Sequence, residues 1–126
     1  MIFGNNFLGK SNNIEIIRFC NKKGLSVIGG AKKIYSHFLT DNPTIKTVTS
    51  YCDISKGRGT LYEKLGMNLV KITEPNYIWY NFYTKEEKSR YQTQIKDENK
   101  IMREKNFVKI YDSGNYFYEY KRRKNE

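Results

Sequence analysis

At 126 residues the chain has the length of one domain, or of one domain with a tail. Its 38% hydrophobic content supports one modest core, and no apolar run approaches the length needed to cross a bilayer. Lys and Arg outnumber Asp and Glu by 23 to 13, a formal net charge of +10. The start, Met1-Ile-Phe-Gly-Asn-Asn, lacks the basic residues and apolar stretch of a signal peptide. Two cysteines, Cys20 and Cys52, are too few for a disulfide framework or a zinc site. These features predict a cytoplasmic protein with reduced, buried thiols.

In chain order, Ile14-Glu-Ile-Ile-Arg-Phe19 reads as a half-buried strand. Asn21-Lys-Lys-Gly24 reads as a turn, and Leu25-Ser-Val-Ile28 as a short extended lead to Gly29-Gly30. Ala31, Ile34, Tyr35 and Phe38 recur at helical spacing, so a helix with one buried face is expected over residues 30–40. Asp41-Asn-Pro43 should stop it, because Pro disfavours helix at the preceding residue. Thr44 to Tyr51 is rich in β-branched residues and reads as a core strand.

Gly57 and Gly59 break the chain, and Thr60-x-x-Glu63 has the form of a capping box for a short helix that Gly66 would close. Strands are expected over 68–73 and over the aromatic run Tyr77-Ile-Trp-Tyr-Asn-Phe-Tyr83. Thr84-x-x-Glu87 looks like a second capping box, opening a charged helix to about Lys105. Phe107 to Tyr111 and Tyr116 to Tyr120 flank Asp112-Ser-Gly-Asn115 and read as a hairpin, followed by the basic end Lys121-Arg-Arg-Lys-Asn-Glu126. The expected domains are an α/β core over 1–83 and, packed on it, a helical segment with a hairpin and basic tail over 84–126.

The positive charge is spread along the chain. Residues 1–83 carry 11 basic and 5 acidic side chains, and residues 84–126 carry 12 and 8. Such a distribution favours a polyanionic partner, of which nucleic acid is the commonest. The bland alternative is a composition rich in Lys, Asn, Ile and Tyr with no designed basic surface. Under the first reading Lys32, Lys33, Lys56, Arg58, Lys64, Arg122 and Arg123 are the phosphate-contacting candidates. Tyr77, Trp79, Tyr80 and Tyr83 could offer aromatic platforms, although at least half of such a strand should be core.

Gly29-Gly30 at a strand-to-helix turn lets backbone N–H groups approach a phosphate closely, with help from the helix dipole. Glu15 and Asp53 are the carboxylates on or beside strands, and His37 is the single His. No Cys, His and Asp grouping has metal spacing.

Two stretches, Val27-Ile-Gly-Gly-Ala-Lys-Lys33 and Gly59-Thr-Leu-Tyr-Glu-Lys-Leu-Gly66, resemble the back half of the GNAT acetyltransferase fold. Ser50-Tyr-Cys-Asp53, Pro75-Asn-Tyr77 and Phe107-Val-Lys-Ile-Tyr-Asp-Ser-Gly-Asn115 extend the likeness to the C-terminal module of phage and large-virus proteins described as homing endonucleases. The resemblance implies an α/β (α+β) fold: a truncated, mixed, mostly antiparallel sheet with two or three helices and a C-terminal β-hairpin. Strands 14–19 and 45–51 would be central neighbours that splay apart beside Gly29.

It also implies acetyl-CoA binding through Gly29, Gly30, Ala31 and Lys32, with Tyr62 as general acid. The nuclease domain and the first strand and helices of a complete acetyltransferase would be missing. Three readings follow: a non-catalytic DNA-binding accessory module that associates with a separate nuclease domain or chain, an acyl-CoA-dependent N-acetyltransferase, and an inactive fragment.

Overall fold

The computed structural model describes residues 1–5 and 12–124. In chain order these form β1 (Ile2–Asn5), β2 (Asn13–Arg18), α1 (Gly30–Asp41), β3 (Thr47–Asp53), α2 (Thr60–Lys64), β4 (Asn68–Ile72), β5 (Tyr77–Asn81), β6 (Glu87–Ser89), a 3-10 helix (Arg90–Thr93), α3 (Glu98–Glu104), β7 (Phe107–Tyr111) and β8 (Asn115–Lys121). The fold is α+β with mostly antiparallel pairing. Two compact units divide it: residues 1–73 with 115–126, and residues 74–114. This replaces the boundary expected at residue 83. The aromatic strand β5 does not end the first sheet but founds a sheet of its own.

In the first unit the strand order is β1-β2-β3-β8-β4. β2 and β3 run parallel, and the other pairs are antiparallel. A parallel pair needs a crossover, and α1 supplies it. Period-2 alternation sends Ile16 of β2, Val48 and Ser50 of β3 and Tyr118 of β8 inward. They meet Tyr35, Leu65 and Met67 in one core. Phe3 stacks on Phe38 with ring centroids 3.6 Å apart. The buried stripe of α1 is Ala31, Tyr35, Phe38 and Leu39. Ile34 lies at the edge of that stripe and is exposed rather than buried.

The second unit is a three-stranded sheet, β6-β5-β7, with a core of Trp79, Met102 and Phe107. The charged helix expected over 84–105 is absent; a tight turn, β6, the 3-10 helix and a shorter α3 stand in its place. Asn81 is the cause. Its Oδ1 accepts the N–H groups of Tyr83 and Thr84 at 2.9 and 3.1 Å, and its backbone carbonyl accepts that of Lys85 at 2.8 Å. The Thr84 hydroxyl then accepts from the Glu86 N–H, which favours a turn over a helix start. The capping box forms further on, between Ser89 and Gln92.

Three smaller expectations also change. The Thr60/Glu63 capping box does not form, because Gly59, not Thr60, is the N-cap of α2. Cys20 is exposed and Cys52 half-buried, so only the second approaches a buried thiol. The two C-terminal strands and their Asp112–Asn115 connection stand where expected, but each takes its partners elsewhere: β7 pairs with β5, and β8 lies between β3 and β4. Asp112 Oδ1 accepts from the N–H groups of Asn76 and Gly114 at 2.9 and 2.8 Å, which fixes that connection.

Candidate functional site: the splayed end of the five-stranded sheet

β2 and β3 pair only at Asn13–Thr47, Ile14–Val48 and Glu15–Thr49, although the strands continue to Arg18 and Asp53. Beyond Thr49 the ladder stops. The buried Ser50 hydroxyl donates to the Ile16 carbonyl at 2.9 Å, so a side chain takes over from the backbone where the strands part. The splay therefore opens toward the C-terminal ends of both strands. Because the strands are parallel, the connections to α1 and α2 leave from this same end.

Each connection ends on a left-handed glycine, Gly29 (φ 70°) and Gly59 (φ 76°), and neither helix has a side-chain cap. In α1 the Gly30 N–H bonds to the Val27 carbonyl and the Lys33 N–H to the Gly29 carbonyl. The N–H groups of Ala31 and Lys32 therefore lie in the first turn without an intrahelical acceptor. No acidic residue sits in that turn; Lys32 and Lys33 do, and both are exposed. The preceding loop leaves Leu25, Val27 and Ile28 in solvent, with Ile28 97% exposed.

At the second connection, Lys56 and Arg58 are exposed. Tyr118 fills the space above Gly59, where any Cβ would collide with its ring, and its hydroxyl donates to the Arg58 carbonyl at 3.1 Å. Burial pushes the Tyr118 phenol up. Lys64, on the last turn of α2, lies about 6 Å along that helix from its start.

Gly29, Gly30, Ala31, Lys32, Lys33, Lys56 and Arg58 thus converge on one end of the sheet. Arg122 and Arg123 do not join them. β8 runs antiparallel to β3, with Lys121 opposite Thr47, which carries its C-terminus to the far end. There the Arg122 guanidinium donates to the carbonyls of Leu39 (2.6 Å), Pro43 (2.7 Å) and Asn42 (3.4 Å), closing the C-terminus of α1.

Tyr62 is half-buried, and its ring packs on Tyr118 at 5.4 Å between centroids, so the residue expected as an acid contributes to the core. Asp53 is a turn anchor: its carboxylate accepts the N–H and hydroxyl of Ser55, which hold it below the usual carboxylate range. Glu15 lies on the sheet opposite Gly4 and Thr49, and burial raises its carboxyl. His37 is exposed on the outer side of α1. Among the described residues no group of three or more His, Cys, Asp or Glu could hold a metal ion, and no helix is long and apolar enough to cross a membrane.

The aromatic strand divides as its alternation requires. Trp79 is fully buried, Tyr77 and Tyr80 are half-buried, and Tyr83, in the turn, is 84% exposed. Sequence reasoning missed Glu98, which organises this unit. Its Oε1 accepts from Trp79 Nε1 and Thr93 Oγ1, both at 2.7 Å, and the Tyr77 hydroxyl lies 3.0 Å from Oε2. The bonds from Thr93 and Trp79 hold its carboxyl below the usual range. It also missed Ser50, which looks like an ordinary polar residue in a β-branched run. No protein-family model matches the chain, and no curated protein is significantly similar to it.

Proposed function

We propose that the first unit is a non-catalytic, phosphate-binding module whose partner is DNA. The observation that carries this reading is the α1 start. Two free N–H groups, a left-handed glycine and two lysines share one helix end, where the helix dipole favours an anion and disfavours the lysines themselves. Lys56 and Arg58 extend the positive surface along the same end of the sheet. Contacts of this kind position a nucleic acid without reading its sequence. The central parallel pair and its splay beside Gly29 agree with the GNAT-like module of nuclease-associated proteins, and association with a nuclease domain or chain belongs to the same proposal.

Fluorescence anisotropy with a labelled duplex tests the reading. Four phosphate contacts, from Lys32, Lys33, Lys56 and Arg58, give a slope of log affinity against log salt of about −3.6. Lys56→Glu with Arg58→Glu should weaken binding to unrelated duplexes equally and reduce the slope by about 1.8. A slope near zero, or strong sequence dependence of the loss, would remove the proposal.

Acyl-CoA binding is the second reading, favoured by the splay between β2 and β3. The residues at Gly29, Ala31 and Lys32 fit a pyrophosphate, and acetyl-CoA held by it would supply an activated acyl group at the far end of its pantetheine arm. The packed Tyr62 does not fit the acid role. CoA should raise the thermal midpoint if it binds the native state. Gly30→Glu should abolish the rise by placing a side chain and a negative charge in the phosphate path, and the fold should tolerate it, since only the exposed Val27 side chain must yield to the new Cβ. No shift at millimolar CoA retires this reading.

A further inference from the structure

The second unit carries a concavity of about 760 Å³ between the edge strand β7 and α3. Its walls include Phe82, Tyr83, Tyr111, Arg103, Lys109 and Asn99. Three features separate it from an ordinary surface fold. First, three of its four aromatics are turned outward: Phe82 is 56%, Tyr83 84% and Tyr111 60% exposed, while Phe107 belongs to the core. Single exposed rings are ordinary, but several grouped along one groove form the kind of patch that marks an interaction site. Second, the lining contains Arg103 and Lys109 and no carboxylate, in a unit where Glu98 is turned to Trp79, Thr93 and Tyr77. Third, Asn99 and Asn106 add side-chain amides able to donate and accept.

We infer that this groove binds single-stranded nucleic acid, with Tyr83 and Tyr111 stacking on unpaired bases and Arg103 holding the backbone. Stacking platforms interleaved with cations are the shared chemistry of single-strand binders, and every base offers a π-face to them. Duplex DNA cannot use the platforms, because its bases are already stacked on one another. Lys109 has a supporting part: its ammonium lies 4.2 Å from the Tyr77 ring centroid and 5.0 Å from that of Trp79, so it charges the floor of the groove from within the aromatic cluster. The inference stands on the second unit alone and needs no phosphate site at the splayed end of the first sheet.

The test is fluorescence anisotropy of the full chain with a labelled oligothymidylate of about ten nucleotides, within the usual site sizes, and with a duplex of equal length. Tyr83→Ala should weaken single-strand binding by about fivefold or more, and Tyr83→Phe should stay within about twofold of wild type, because stacking needs the ring and not the hydroxyl. Duplex affinity should not respond to either. Tyr83 uses only its backbone N–H on Asn81, so an unchanged unfolding midpoint for Tyr83→Ala separates a lost contact from a lost fold. Arg103→Gln should reduce the single-strand salt slope by about 0.7. Lys32→Glu with Lys33→Glu should weaken duplex binding and leave the Tyr83-dependent part intact; if the wild-type chain binds no duplex while that part persists, the phosphate-site proposal falls and this one stands. No oligothymidylate binding, equal losses for both substrates on Tyr83→Ala, or tighter capture of an acidic extended peptide along β7 would each overturn the inference.

Discussion

Replacing Lys32 and Lys33 together by Gln should stabilise the free protein while weakening its anion site. The positive end of the α1 dipole, the two unbonded N–H groups and the two ammonium groups occupy one turn with no acidic residue to offset them. A charge at a helix terminus is worth about 0.3–1 kcal/mol at low ionic strength, here with an unfavourable sign for each lysine. Gln has nearly the helix propensity of Lys, so the exchange isolates the charge and should yield about 1 kcal/mol. Removing two charges from a chain at +10 acts in the same direction. Urea unfolding followed by circular dichroism measures it, since urea does not screen charge. The gain should be largest near about 0.01 M salt, where the Debye length is about 30 Å, and should shrink near about 1 M, where it is about 3 Å. DNA should then stabilise the wild type more than the variant. A double variant no more stable than wild type, or a gain indifferent to salt, would refute the electrostatic account of this helix start.

Gly59→Ala and Gly66→Ala form a matched pair, since both glycines have positive φ and only Gly59 faces Tyr118. Urea unfolding should show a loss of about 1–2 kcal/mol at Gly66 and about 2–5 kcal/mol at Gly59, the excess being overpacking; equal losses would contradict the packing described. Glu98→Ala leaves the buried Trp79 N–H without its acceptor and should destabilise the second unit by about 1–3 kcal/mol, read from the fluorescence of Trp79, the single Trp. Because the folded Glu98 carboxyl lies below its ordinary 4.5, its contribution is fully present above pH 4.5 and fades as pH falls through the depressed folded value; Glu98→Gln should flatten that decline. Arg122→Ala should cost about 1–2 kcal/mol of stability through the lost carbonyl contacts and leave the DNA salt slope unchanged, because Arg122 closes the opposite end of α1.

The strands at 13–18, 47–53, 68–72 and 77–81 and the helix at 30–41 were legible because each carries its own local signal: β-branched runs, helical spacing, and a Pro at position 43. That strands 14–19 and 45–51 would be neighbours that splay apart was an expectation drawn from the resemblance alone; that they run parallel was not expected. The segment 84–105 misled because its charge and its Thr-x-x-Glu pattern suit a helix, while the deciding group, the Asn81 side chain, lies just outside it. The basic residues were readable as a set but not as a surface. Which of them share an end depends on strand direction, and the antiparallel course of β8 removed Arg122 and Arg123 from the group. The strand partners of β7 and β8 have the same cause: adjacency in sequence predicts a hairpin, whereas β8 fits between β3 and β4, where Tyr118 completes the first core.

The two candidate sites are marked by different departures from local rules. At the splayed end the backbone departs: a ladder ends early, a serine side chain replaces its next bond, a helix begins without a cap, and cations stand where anions are preferred. The uncapped start and the misplaced cations cost stability, and a bound phosphate would offset both at once by accepting the free N–H groups and neutralising the lysines. In the second unit the ladder on β5 is full and the Glu98 network satisfied; Lys85, Asp97 and Asn106 take left-handed φ at its turns, and the departure that marks the groove lies in rings left in solvent. A site of the first kind must respond to ionic strength. One of the second kind must respond to loss of a ring at constant charge. The salt slope of duplex binding and the Tyr83→Phe and Tyr83→Ala comparison therefore interrogate independent chemistry, and neither result can be inferred from the other.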